Sequence, residues 1–66
     1  MTRYRLDAGN AGEETIVALS DARAMACAER LAQRLLRQYR SEGERRIDVA
    51  VYRGAVRIGL ATAEAR

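Results

Sequence analysis

Between Ser20 and Gly43 the apolar residues recur with the spacing of a helix, and nowhere else in the chain do they. Ala24, Ala28, Leu31, Ala32, Leu35 and Tyr39 form one stripe, with Met25 and Leu36 on its shoulder. Ser20 suits the N-cap, and Asp21 follows in the first turn, where negative charge meets the positive pole of the helix. Arg37 and Arg40 suit the opposite pole, and Ser41-Glu42-Gly43 supplies the stop, with Gly43 as its left-handed residue. A helix ending at Tyr39 or Arg40 is therefore predicted. With 66 residues in all, the stripe has to be covered by strands, because a domain this short buries only about 60% of its unfolded surface.

The flanking segments have the period of strands. Thr2–Asp7 alternates, Arg3 and Arg5 pointing one way and Tyr4 and Leu6 the other. Ala8-Gly9-Asn10-Ala11-Gly12 reads as a turn, and Glu14–Leu19 as a second strand rich in β-formers at Thr15, Ile16 and Val17. Ile47–Tyr52 and Ala55–Thr62 read as a second hairpin with Arg53-Gly54 as its loop. That loop places Val51 opposite Val56, Val49 opposite Ile58 and Ile47 opposite Leu60, all six facing the core. Asp48, Ala50, Tyr52 and Arg57 then occupy the other face. An arginine is unusual at the first loop position, which leaves a bulged variant open. Residues 62–66 read as a loose tail. The predicted fold class is α+β: a single domain over residues 1–66, a four-stranded antiparallel sheet with one helix packed on one face, in the order β-β-α-β-β.

Several function classes drop out on residue types alone. Histidine and lysine are absent, so the usual general bases near neutral pH are missing, and no catalytic residue is expected. One cysteine, Cys27, makes an internal disulfide impossible; it reads as a small hydrophobe at the edge of the helix's apolar face. No metal site and no cofactor are expected from one thiol and scattered acids. Asp7, Glu13 and Glu14 cluster near the first turn and read as solvated acids. Gly9 and Gly12 lack both the spacing and the lysine of a phosphate-binding loop. No apolar run approaches the ~18 residues of a membrane span, and the alternating start is unlike a signal peptide. Residence in the cytosol of a bacterial host cell is the expectation, with no membrane partner. Met1 opens the chain and no tag is visible, so a complete gene product is expected.

What remains is charge. The net charge is +3, and every basic residue is arginine, the better residue for two-pronged contact with carboxylate or phosphate. Arg23, Arg30, Arg34 and Arg37 project within an arc of roughly 60° on the helix, away from most of its apolar stripe. No acid lies three or four residues from any of them, and the Arg30/Arg34 and Arg34/Arg37 pairs repel by a few tenths of a kcal/mol each. This ridge is a candidate surface for an acidic partner. A second candidate surface is the open sheet face, with Arg3, Arg5, Tyr52 and Arg57, and Arg46 beside them. One exposed tyrosine is too few for the base stacking of RNA-reading sheets, but an open sheet face suits protein docking or self-association, including a homodimer. Contacts of the ridge with nucleic-acid phosphates are the alternative, though a net charge of +3 with nine acids is modest for a dedicated DNA binder and no DNA-binding module is visible.

The start Met1-Thr2-Arg3-Tyr4-Arg5-Leu6-Asp7, then Gly12-Glu13, then Val17-Ala18-Leu19-Ser20-Asp21-Ala22 running into an alanine-rich helix, resembles one of the small anti-CRISPR proteins that phages and other mobile elements direct against type I systems. The resemblance covers the first half of the chain; the second half matches in its hairpin layout. It implies a short β-β-α-β-β protein that binds and does not catalyse, an inhibitor docking on a Cas protein subunit of a type I surveillance complex. Many such inhibitors are acidic mimics of DNA, whereas this chain is basic, which implies docking on an acidic protein patch. The alternatives are a basic nucleic-acid-binding accessory or regulatory protein, and an antitoxin-like dimeric module.

Overall fold

A computed structural model of the chain describes residues 1–65. Four strands, β1 (Thr2–Asp7), β2 (Glu13–Ala18), β3 (Arg46–Arg53) and β4 (Val56–Glu64), form one antiparallel sheet in the order β2-β1-β3-β4. A single helix, α1 (Asp21–Tyr39), connects β2 to β3 and packs on one face of the sheet. The class is α+β and the order β-β-α-β-β, as the alternating flanks predict. Because β1 lies between β2 and β3, α1 is the crossover of a split β-α-β unit, and the sequence-distant β1 and β3 become neighbours, with Leu6 opposite Val51.

The helix begins and ends on the residues that its sequence signals. The Ser20 hydroxyl accepts a hydrogen bond from the Arg23 backbone N–H at 3.2 Å, which satisfies one of the free donors of the first turn. A single 3-10 turn, Arg40–Glu42, follows Tyr39, and Gly43 at φ 90° halts it. The core is thin and mostly small: Tyr4 and Leu6 of β1, Ile47, Val49 and Val51 of β3, and Ala18 of β2 meet Ala24, Ala28, Leu31, Ala32, Leu35 and Leu36 of α1.

The second hairpin departs from the sequence-based register. Its loop is Gly54-Ala55, closed by the pair Arg53 and Val56, and not Arg53-Gly54. Gly54 takes φ 61° while Ala55 keeps a negative φ, the signature of a type II′ turn, which wants glycine at its first loop position. A bulge follows. Tyr52 pairs with Arg57 but Val51 pairs with Gly59, so Ile58 is an extra residue on β4. From there the faces of β4 are exchanged: Val49 faces Ala61 and Ile47 faces Ala63, and both alanines are buried. Val56 and Leu60, predicted core residues, are exposed, and Ile58 is half-buried. Small residues win these inner positions because α1 presents Ala24, Ala28 and Ala32, all fully buried, and comes close to the sheet. A side chain at Gly59 would sit 2.8 Å from the Met25 sulfur, so the glycine is the seat on which Met25 packs. β4 also runs on to Glu64, through positions assigned to a loose tail, and the Ala65 N–H donates to the Arg45 carbonyl at 2.8 Å. Arg66, the last of that predicted tail, lies outside the described residues. Gly54→Val is expected to cost about 1–2 kcal/mol, the penalty for a side chain in left-handed backbone, read as a lower urea midpoint.

Polar pins hold the ends of the sheet. The Tyr4 hydroxyl donates to Asp21 Oδ1 at 2.6 Å, and an Arg53 guanidinium N–H donates to Asp21 Oδ2 at 2.6 Å, tying β1 and β3 to the start of α1. On the opposite sheet face the Thr62 hydroxyl donates to Asp48 Oδ1 at 2.7 Å, and Arg46 bridges Asp48 and Glu64. The bond from Tyr4, and then that from Arg53, holds the Asp21 carboxyl below its ordinary value of 3.8. The bonds from Thr62 and then Arg46 do the same for Asp48. Tyr4 is pushed above 10.0, chiefly because its proton is held by Asp21 and secondly by burial. A carboxyl lowered by folding stabilises fully above its unfolded value, and that contribution is lost as pH falls through the folded value; a raised tyrosine stabilises fully below its unfolded value and loses that as pH rises. Thermal stability is therefore expected to fall below about pH 4 and above about pH 10. Asp21→Asn should flatten the acid limb and Tyr4→Phe the alkaline one, both followed by thermal unfolding across pH.

Candidate binding surfaces

The four ridge arginines are all exposed on α1, on the side of the molecule opposite the open sheet face. The helix covers β3 and β4 much more closely than β2, which leaves a shallow groove of about 590 Å³ between α1 and β2. Leu6, Ile16, Cys27 and Leu31 give it apolar walls, and Arg30, Arg34 and Arg37 stand along its helix bank together with Glu29 and Gln33. Arg23 belongs to the ridge but not to the groove. The sequence spacing along the helix offers these arginines no acid, yet the fold supplies one: Arg34 Nη2 lies 3.3 Å from Glu14 Oε2 on β2, an exposed pair across the groove. Arg30 Nη2 lies 3.3 Å from Cys27 Sγ. Among the described residues Arg23, Arg30 and Arg37 have no carboxylate partner within 4.0 Å.

The three acids that cluster in sequence near the first turn separate in space. Glu14 turns to the helix side, while Asp7 and Glu13 approach Arg5 at 3.9 and 3.7 Å on the open sheet face. Asp7 Oδ1 also accepts from the Gly9 N–H at 2.8 Å, which shapes the turn.

The second predicted cluster comes together. Cross-strand register puts Thr15, Arg5, Tyr52 and Arg57 in one row across all four strands. The Arg5 guanidinium carbon stacks 4.3 Å from the centre of the Tyr52 ring, a cation–π contact that holds the tyrosine half-covered. Arg3 lies at the end of β1 next to this row, opposite Val17. The next row holds Glu13, Asp7, Ala50 and Leu60, and beyond it stand Asp48 with Thr62 and Arg46 with Glu64. Sequence reading missed two contributors. Leu60, 42% exposed, reaches this face only because of the bulge, and Glu14 reaches the ridge only through a pairing 20 residues apart.

Among the described residues no group of three His, Cys, Asp or Glu side chains is placed to hold a metal ion, and no helix is long and apolar enough to cross a membrane. No protein-family model matches this chain, and no curated protein or solved structure is significantly similar to it.

Proposed function

We propose that this chain is a small non-enzymatic binding module that takes an acidic segment of a partner protein into the groove between α1 and β2. The observation that carries the reading is the conjunction of Arg30, Arg34 and Arg37 along one bank with Leu6, Ile16 and Leu31 below them. Ile16 and Cys27, the half-buried apolar members of the lining, supply a small contact area over the buried Leu6 and Leu31, and the arginines supply orientation and a fast, steered encounter with a negative surface. The Arg34–Glu14 pair is an internal example of the contact: a carboxylate on the far bank lies within reach of the ridge.

The partner we propose is a Cas subunit of a type I CRISPR–Cas complex, with the chain acting as an inhibitor. The support for that choice is the resemblance of the N-terminal half to small anti-CRISPR proteins and the shared β-β-α-β-β order. A tagged chain is expected to recover Cas subunits from a nuclease-treated lysate that contains such a complex, identified by mass spectrometry. Recovery of nucleic acid alone, and only from untreated lysate, would move the reading to a nucleic-acid binder using the same arginines. In that case affinity falls steeply with salt, by one counterion contribution per phosphate contacted.

A further inference from the structure

The open sheet face divides along its strands into a basic half and an acidic half, with Tyr52 in the first and Ala50 and Leu60 in the second. Arg3, Arg5 and Arg57 stand at the end where β1 begins and β4 leaves its turn; Arg5 reaches back to Asp7 and Glu13 in the adjacent row, and Arg3 and Arg57 have no carboxylate within 4.0 Å among the described residues. Toward the other end stand Asp7, Glu13, Asp48 and Glu64, with Arg46 the one arginine among them. Tyr52 stands in the row of Arg5 and Arg57, and Ala50 and Leu60 stand in the next row, that of Asp7 and Glu13: Tyr52 and Ala50 are successive outward positions on β3, and Leu60 is directly opposite Ala50. A surface built this way is complementary to itself.

From this pattern we infer that the open sheet face is the interface of a homodimer, two sheets stacked face to face about a two-fold axis that lies between them and runs across the strands. That axis inverts strand direction. It carries the basic half of one copy over the acidic half of the other, with Tyr52 of each copy over Ala50 of the other and Leu60 over Arg57. A two-fold axis along the strands would instead oppose basic end to basic end. Isologous contact of one patch with itself is the commonest closed arrangement of identical chains. Sheets stacked this way sit about 10 Å apart with interdigitated side chains, which covers the exposed Leu60. Both helices then lie on the outer surfaces, and each copy keeps its arginine ridge and groove free. The face of a sheet this small is near the lower end of specific interfaces, so the dimer dissociates on dilution and loosens with salt.

Sedimentation equilibrium from micromolar to millimolar protein tests this, with far-UV circular dichroism as the check on folding. The wild-type chain is expected to show a reversible monomer–dimer equilibrium, and Leu60→Arg to be monomeric and folded. Arg3→Glu with Arg57→Glu makes the face largely acidic, and Glu13→Arg with Glu64→Arg makes it largely basic. Each of these pairs is expected to be monomeric alone and to form a heterodimer when the two are mixed. All five positions are exposed, so their replacement leaves the core untouched. If a double variant fails to fold, Leu60→Arg by itself decides. A wild-type chain monomeric at millimolar concentration, or a dimer that survives Leu60→Arg, would overturn the inference. It stands apart from what the groove binds: Arg30→Glu with Arg34→Glu should leave the dimer as it is.

Discussion

Replacing Arg30 and Arg34 together by glutamate is expected to abolish partner capture while leaving the fold intact. Both side chains are exposed, and the only ion pair lost is that of Arg34 with Glu14, whose two side chains are 62% and 48% exposed. An exposed pair of this kind contributes no more than about 1 kcal/mol. The effect on binding is larger, because two charges on the groove bank change sign where an acidic segment has to lie. Breaking close charge pairs at an interface costs about 2–5 kcal/mol, so affinity should fall by a hundredfold or more. Arg23→Glu provides the internal comparison. It carries the same charge change on the same ridge but outside the groove, and should weaken binding far less. Isothermal titration with the purified partner, and unfolding curves for each variant, read both quantities. A folded double variant that binds like wild type would contradict the assignment of the ridge.

Leu6→Ala is expected to leave the chain largely unfolded at 37 °C. Leu6 is 1% exposed near the C-terminal end of β1, the strand between β2 and β3, on the face that meets the helix. Truncating a buried leucine to alanine costs about 2–5 kcal/mol, and a single core in a domain this small rarely supplies more than about 3–5 kcal/mol in total. The same change at Leu60 should cost less than about 0.5 kcal/mol in the monomer, because Leu60 stands on the open face and not in the core. Urea unfolding of the two variants at low protein concentration therefore tests the bulge at Ile58 as well as the core. Equal losses at both positions would mean that β4 is turned the other way.

The amphipathic helix, its Ser20 cap and its Gly43 stop were legible because they are local. Each depends on residues within one or two turns, and the periods of 3.6 and 2 distinguish helix from strands without tertiary information. The alternation of β1 was legible for the same reason. β4 was not. Its sequence offers two apolar sets, the large Val56, Ile58 and Leu60 and the small Gly59, Ala61 and Ala63, and size alone favours the first. The choice is made by the helix, whose alanines at positions 24, 28 and 32 need small residues beneath them, and by the glycine that the turn needs at its first loop position. The same limit applies to the candidate site. The arginine ridge could be read from helical spacing, and the shared face of Arg5, Tyr52 and Arg57 from strand alternation, whereas the pairing of Tyr52 with Arg57 depends on the turn. The groove could not, because its β2 wall, Glu14 and Ile16, depends on where the crossover helix settles over the sheet.

The groove contains its own reporter. Cys27 is the only cysteine in the chain, is half-buried, and lines the groove beside Arg30. It is on the opposite side of the sheet from the open face. The decisive measurement is the rate at which Cys27 reacts with a small thiol reagent, first in the free protein and then in the purified complex with its partner. An occupant of the groove covers the sulfur, so the rate should fall strongly in the complex and return to that of the free chain when the complex is dissociated by dilution. A stable complex in which Cys27 reacts as fast as in the free chain would contradict the account, because the partner would then be docked elsewhere.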